Sequence, residues 1–174
     1  ELAQDPRVVA ILGPLTSGDA LAAAQAAQGA GLPLIALSQK SDLTAVGPLV
    51  FQIFLTPRLQ VRALLDYTLG QGLSRYALLA PESPYGRTLS KIFQEELAAR
   101  GGILAVQGTY SPEAEDLTAA LTPLLEAYKT GQAGGTAFQA LFIPDDAAAV
   151  AAVAGELAGR PEVKVQLLGT NLAK

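Results

Sequence analysis

The sequence predicts an α/β fold of doubly wound, three-layer αβα lobes built on parallel sheets. Three observations predict it. Short β-branched and apolar runs alternate with longer helical ones along the whole chain. Gly and Pro punctuate nearly every switch between them. The connections suit parallel crossovers, which cover a sheet with helices on both faces. Half of the 174 residues are apolar and 16% are charged, enough for a sizeable core.

The elements follow in order. Residues 7–13 (RVVAILG) read as a buried strand that closes at Gly13-Pro14. Residues 17–29 are Ala-rich and free of β-branched side chains, a strong helix former stopped by Gly29 and Gly31. Strands are expected at 32–37 and 49–55, then an amphipathic helix at 57–69 that ends at Gly70-Gln71-Gly72. The cycle repeats with a strand at 75–80, a helix at 85–100, a strand at 103–110 and a helix at 113–128. The Gly-rich stretch KTGQAGGTAFQ reads as a flexible loop. A strand at 139–143, a helix at 145–157 and a strand at 163–169 complete the chain. RVVAILGPLTSGDALAAAQAA and RYALLAPESPYGRTLSKIFQEELAA echo one another as strand, Pro-containing turn and long helix. The echo suggests two similar lobes, residues 1–70 and 71–174, with one continuous sheet as the alternative.

Composition narrows the chemistry. His and Cys are both absent, which excludes Ser-His-Asp and Cys-His catalysis, disulfides and thiolate metal sites. A net charge of −4 without a basic stripe argues against nucleic acid. No apolar run approaches the roughly 20 residues of a membrane span. The Gly131–Gly135 run lacks the Lys-Ser/Thr ending of a phosphate-binding loop. Glu113, Glu115 and Asp116, and likewise Asp145 and Asp146, open expected helices, where acids favour the dipole more simply than they make a metal or acid/base site. No cofactor is expected. A first residue of Glu1 within a helix-to-strand pattern reads as the start of an excised or processed fragment.

Four segments, in order, carry a resemblance: AILGPLTSGDALA, GLPLIALSQKSDL, YALLAPESPYGRTLSKIFQEELAARGG and LFIPDDAAAV with VQLLGTN. Together they resemble the type I periplasmic solute-binding proteins of the leucine/isoleucine/valine-binding kind. The resemblance implies a bacterial envelope location, possible lipid anchoring through a missing N-terminal segment, and delivery of a solute to ABC-transporter membrane subunits. It also implies that the family's first strand and helix, and its later C-terminal portion, are not in this chain. The segment IPDDAAAV with VQLLGTN resembles the envelope lipoprotein branch of this fold, whose members resemble activators of penicillin-binding proteins; a scaffold of that kind is the alternative.

Candidate site residues follow from strand ends. Thr16 and Ser17 sit between a strand terminus and a helix N-terminus, where open α/β sheets bind ligands and where free amides suit a carboxylate. The plainer reading is a helix cap, worth about 0.5–2 kcal/mol. Ser38, Ser41 and Asp42 follow the next strand on the same edge, Asp42 being the residue suited to an ammonium, and an ordinary solvated loop is the plainer reading. The resemblance places Ser17 where the family binds the solute carboxylate; Ser38, on the adjacent strand end, is positioned to clamp that carboxylate, or an ammonium, with it. Tyr85, in SPYGR, opens the first helix of the second lobe and could close over a ligand, or simply pack on the surface. Asn171 stands where the family offers a polar or acidic residue; a neutral amide there weakens the case for an ammonium. The sequence therefore implies a binding protein, not an enzyme, taking a small amino-acid-like solute between two lobes that close about the Gly70–Gly72 crossing. With sheet edges uncovered, such a fragment is expected to self-associate.

Overall fold

The computed structural model describes residues 5–40, 42–114 and 116–172. Ser41 and Glu115, both named above, lie outside the described residues. The chain divides into two compact units, Glu1–Thr56 and Pro57–Lys174.

The first unit is a parallel three-stranded sheet with one long helix. Strands β1 (Ile11–Leu12), β2 (Leu34–Ala36) and β3 (Val50–Gln52) pair in the order β1-β2-β3. Helix α1 (Ser17–Gly29) joins the first two. It turns Ala20, Ala24 and Ala27 onto Leu34, Ala36 and Val50, and Leu43 from a short 3-10 helix (Leu43–Val46) completes this core. Alanine at those spacings lets the helix lie close to the sheet. The strands are shorter than the apolar runs suggest. β1 pairs over Ile11–Leu12 alone, within an extended segment whose Val9 is exposed.

The second unit contains helix α2 (Pro57–Gly70), β4 (Arg75–Pro81), α3 (Pro84–Ala99), β5 (Ile103–Tyr110), α4 (Thr118–Ala133), β6 (Ala140–Ile143), α5 (Ala147–Ala158) and β7 (Gln166–Gly169). Its parallel sheet runs β5-β4-β6-β7. On one face Val61 and Leu65 of α2, with Leu89, Phe93 and Leu97 of α3, cover Tyr76, Leu78 and Phe142. Phe93 stacks on Phe142 at 4.5 Å between ring centroids and meets Tyr76 edge-on at 5.9 Å. On the other face Leu121, Leu124, Leu125 and Tyr128 of α4, with Val153 of α5, cover Ala77, Leu79, Leu141 and Ile143. This is the expected three-layer αβα arrangement. The two faces alternate along β4, which is why all but its first residue is buried.

Three features differ from the sequence expectation. Helix α2 packs in the second unit: Val61 and Leu65 join its core, and Thr68 Oγ1 lies 2.7 Å from the Tyr76 hydroxyl. The division between units therefore falls at Thr56/Pro57, and the Gly70–Gly72 turn is internal to the second unit, closed by Gly72 N–H to Leu69 C=O and Leu73 N–H to Thr68 C=O. Helix α4 starts at Thr118, not at 113, because the Asp116 side chain accepts from Thr118 N–H at 2.8 Å and ends a turn there. It also continues through Gly131 to Ala133, so the Gly-rich stretch is only partly loop.

Candidate functional site

In the first unit the candidates gather at the C-terminal rim of the sheet. The backbone leaves β1 through Gly13, at a φ of 121° that only glycine adopts without strain, and a cis Gly13–Pro14 bond. The loops after β1 and β2 are tied together where Leu37 N–H donates to Pro14 C=O at 3.1 Å. Thr16 holds the N-cap position with extended dihedrals, yet its side chain does not cap. Its hydroxyl donates instead to Asp19 Oδ2 at 2.6 Å. Ser17 is exposed, and its hydroxyl bonds to no described residue. α3 and α5 differ: Ser83 Oγ accepts from Gly86 N–H, and Asp146 Oδ1 from Ala149 N–H, each at 3.0 Å. The α1 N-terminus is thus open to an exogenous acceptor.

Ser38 is fully buried at the end of β2. Its Oγ accepts from Lys40 N–H at 3.0 Å, which shapes the loop. Gln52, at the end of β3, locks the same loop by donating from Nε2 to the carbonyls of Ser38 (2.6 Å) and Lys40 (2.9 Å). Asp42 has left-handed dihedrals (φ 63°), heads the 3-10 helix without a side-chain cap and is exposed. The sequence reading missed Gln52, since a polar residue in an apolar run signals only a half-exposed strand.

The second unit has its own rim. Tyr85, at the second position of α3, is half-buried and donates its hydroxyl to Thr170 Oγ1 at 3.2 Å. Asn171 follows directly. Its backbone N–H donates to Gln60 Oε1 at 3.0 Å, leaving its side chain exposed. Two residues not singled out in the sequence, Thr170 and Gln60, therefore hold the Tyr85 and Asn171 segments in place. Further along, the Tyr110 hydroxyl donates to Asp145 Oδ2 at 2.5 Å. Burial, and then this carboxylate, hold the Tyr110 proton more tightly than usual. The pair borders a cavity of about 350 Å³ that also touches Ser83 and Asp146.

Asp116, Asp145 and Asp146 of the acidic clusters accept from backbone N–H groups. Asp146 caps α5, and the Asp116 carboxyl lies below its usual range because it accepts from Thr118. Among the described residues no group of three or more His, Cys, Asp or Glu could hold a metal. None of the described helices is long and apolar enough to cross a membrane.

Two parallel sheets each present a polar rim at their strand C-termini, where open α/β sheets bind ligands. The model of the family described as periplasmic binding protein matches residues 1–172, and the chain belongs to that family. Among solved structures it resembles a protein of Rhodospirillum rubrum assigned to a branched-chain amino acid ABC transporter (TM-score 0.73, 20% identity, 97% of this chain and 46% of that one). It also resembles an ABC-transporter substrate-binding protein of Desulfitobacterium hafniense in complex with Leu (TM-score 0.55, 24% identity, 97% and 48%). A solute-binding protein of R. palustris in complex with 4-hydroxybenzoate is similar too (TM-score 0.57, 16% identity, 99% and 46%). The chain spans about half the length of these relatives. No curated protein sequence matches it. The family is one of binding proteins, in agreement with the expectation that this is not an enzyme.

Proposed function

We propose that this chain is part of an extracytoplasmic receptor of the branched-chain amino acid ABC-transporter type, which takes up a small amino-acid-like solute and presents it to the membrane subunits of a transporter. The observation that carries the reading is the open α1 N-terminus within a chain of this family. Its capping residue is turned away to Asp19, and the adjacent Ser17 hydroxyl is uncommitted. A solute carboxylate would accept from the Ser17 hydroxyl and the first-turn amides, with Thr16 and Asp19 keeping the loop in shape. Ser38 supports this rim from beneath through the Lys40 turn, and Asp42 is the nearby exposed acid suited to an ammonium. In the second unit, Tyr85 and Asn171 are the neutral polar candidates of that unit's own rim. No bond is made or broken. The family supports a periplasmic location.

Ser17→Ala in the full-length protein tests the reading. Calorimetry with the solute that co-purifies should show affinity reduced by roughly 1.5–3 kcal/mol, the scale of a hydrogen bond to a charged group. Unchanged affinity would remove Ser17 from the site.

A further inference from the structure

Along the β5 edge of its sheet, the second unit holds a cavity of about 460 Å³ between α3 and β5, which reaches the C-terminal end of β4 at Pro81 and Glu82 but includes none of the candidate residues named above. That volume lies within the roughly 300–1,000 Å³ range of small-molecule pockets. Leu78 and Ala80 of β4 line it with apolar surface. Arg87 and Lys91, one turn apart on α3, line it with positive charge. Gln94 and Gln107 also line it and bond to each other across it, amide to amide, at 2.6 Å. Glu82 lines it as well; its carboxylate accepts from the Thr109 hydroxyl at 2.8 Å, and its carbonyl from Arg87 Nη1 at 3.1 Å.

Five of the chain's six other arginines are neutralised by carboxylates, and the sixth, Arg75, donates to the Thr136 carbonyl. Arg7, Arg58, Arg62, Arg100 and Arg160 all pair with carboxylates. Arg87 and Lys91 pair with no described carboxylate, and like charges at i,i+4 repel one another. An anion held between them would relieve that repulsion, with the guanidinium giving directed hydrogen bonds and the ammonium a point charge. Glu82 opposes a second negative charge, which disfavours dianions. We propose that this cavity is a second binding site, for a small monocarboxylate with an apolar body, its head on Arg87 and Lys91 and its body on Leu78 and Ala80. The proposal does not depend on the solute assigned to the strand rims.

Benzoate is a suitable probe, with benzamide as its neutral counterpart of similar shape. In ¹H–¹⁵N spectra of the full-length protein, benzoate should move the amides of Gln94, Gln107 and Thr109 saturably, while benzamide at equal concentration should not. Arg87→Gln combined with Lys91→Gln should weaken the benzoate response at least tenfold, with the remaining spectrum showing that the fold is kept. The Ser17 and Asn171 amides report the rims separately. No saturable shift at the three amides, an equal response to benzamide, or undiminished affinity in the double variant would overturn the proposal.

Discussion

At Glu96 a carboxylate that is 4% exposed meets three guanidinium groups. Arg62 donates to it at 2.9 Å and Arg100 at 2.6 Å, and Arg58 pairs with it while also reaching Glu95 at 2.8 Å. These bonds, the one from Arg62 foremost, hold its pKa down to about 2 against the opposing effect of burial. The folded state therefore binds this proton less readily than the unfolded chain. The resulting stability is present above the ordinary carboxyl pKa, near 4.5, and is lost as pH falls towards 2. Glu96→Gln should lower stability at pH 7 by about 1–3 kcal/mol, since the partly exposed arginines rehydrate more easily than fully buried ones. The gap between wild type and variant should close between pH 4.5 and pH 2. Urea titrations at pH 7 and pH 2.5 check this, and a gap of equal size at both would mean that ionisation of Glu96 is not the source. None of this was legible in the sequence, where FQEELAA is only part of the helix expected at 85–100. What brings Glu96 inside is Arg58 and Arg62, one turn apart on a helix whose packing partner no local pattern specifies.

Elements were more legible than their ends. β5 occupies the expected residues, and α1, α2 and α3 lie within a residue of expectation, because periodicity and Gly or Pro stops agree there. Where local patterns compete with tertiary pairing, the bounds moved. β1 and β3 are apolar well beyond the residues that find a partner strand, and α4 begins late at a side-chain turn. Which unit α2 joins was not legible either, since an amphipathic stripe does not name the surface it covers. The rims followed from topology, because strand C-termini gather in any parallel sheet. The residues that lock them, Gln52, Gln60 and Thr170, are ordinary polar residues until the strands are assembled. Two glycines give a paired test of the helix assignments. A Cβ at Gly131 would sit 2.8 Å from Ala137 Cα, whereas one at Gly155 in α5 meets nothing within 4 Å. Gly131→Ala should thus destabilise by about 1–3 kcal/mol, and Gly155→Ala should stabilise by about 0.5–1 kcal/mol. Thermal melts of the two variants should shift in opposite directions. Shifts of the same sign would contradict the path of α4 into β6.

At the scale of the whole molecule, the described residues of the first unit place a helix on one face of its sheet only. Leu12, Ile35 and Phe51 form a row on the other face, with Leu12 72% and Phe51 52% exposed. Parallel sheets are ordinarily covered on both sides, so these 174 residues studied alone should self-associate through that face and the open β1 edge. Light scattering should show a mass that rises with concentration, and Leu12→Lys should return it towards one chain. A constant single-chain mass over a hundredfold range would contradict this. The full-length protein, as the solute receptor proposed above, should hold a ligand of its own. Native mass spectrometry of that protein as purified from its host tests it most directly. A retained adduct with the mass of one small amino-acid-like solute is expected, and it should be lost on Ser17→Ala substitution. An empty protein that acquires no adduct from a mixture of amino acids would overturn the receptor reading.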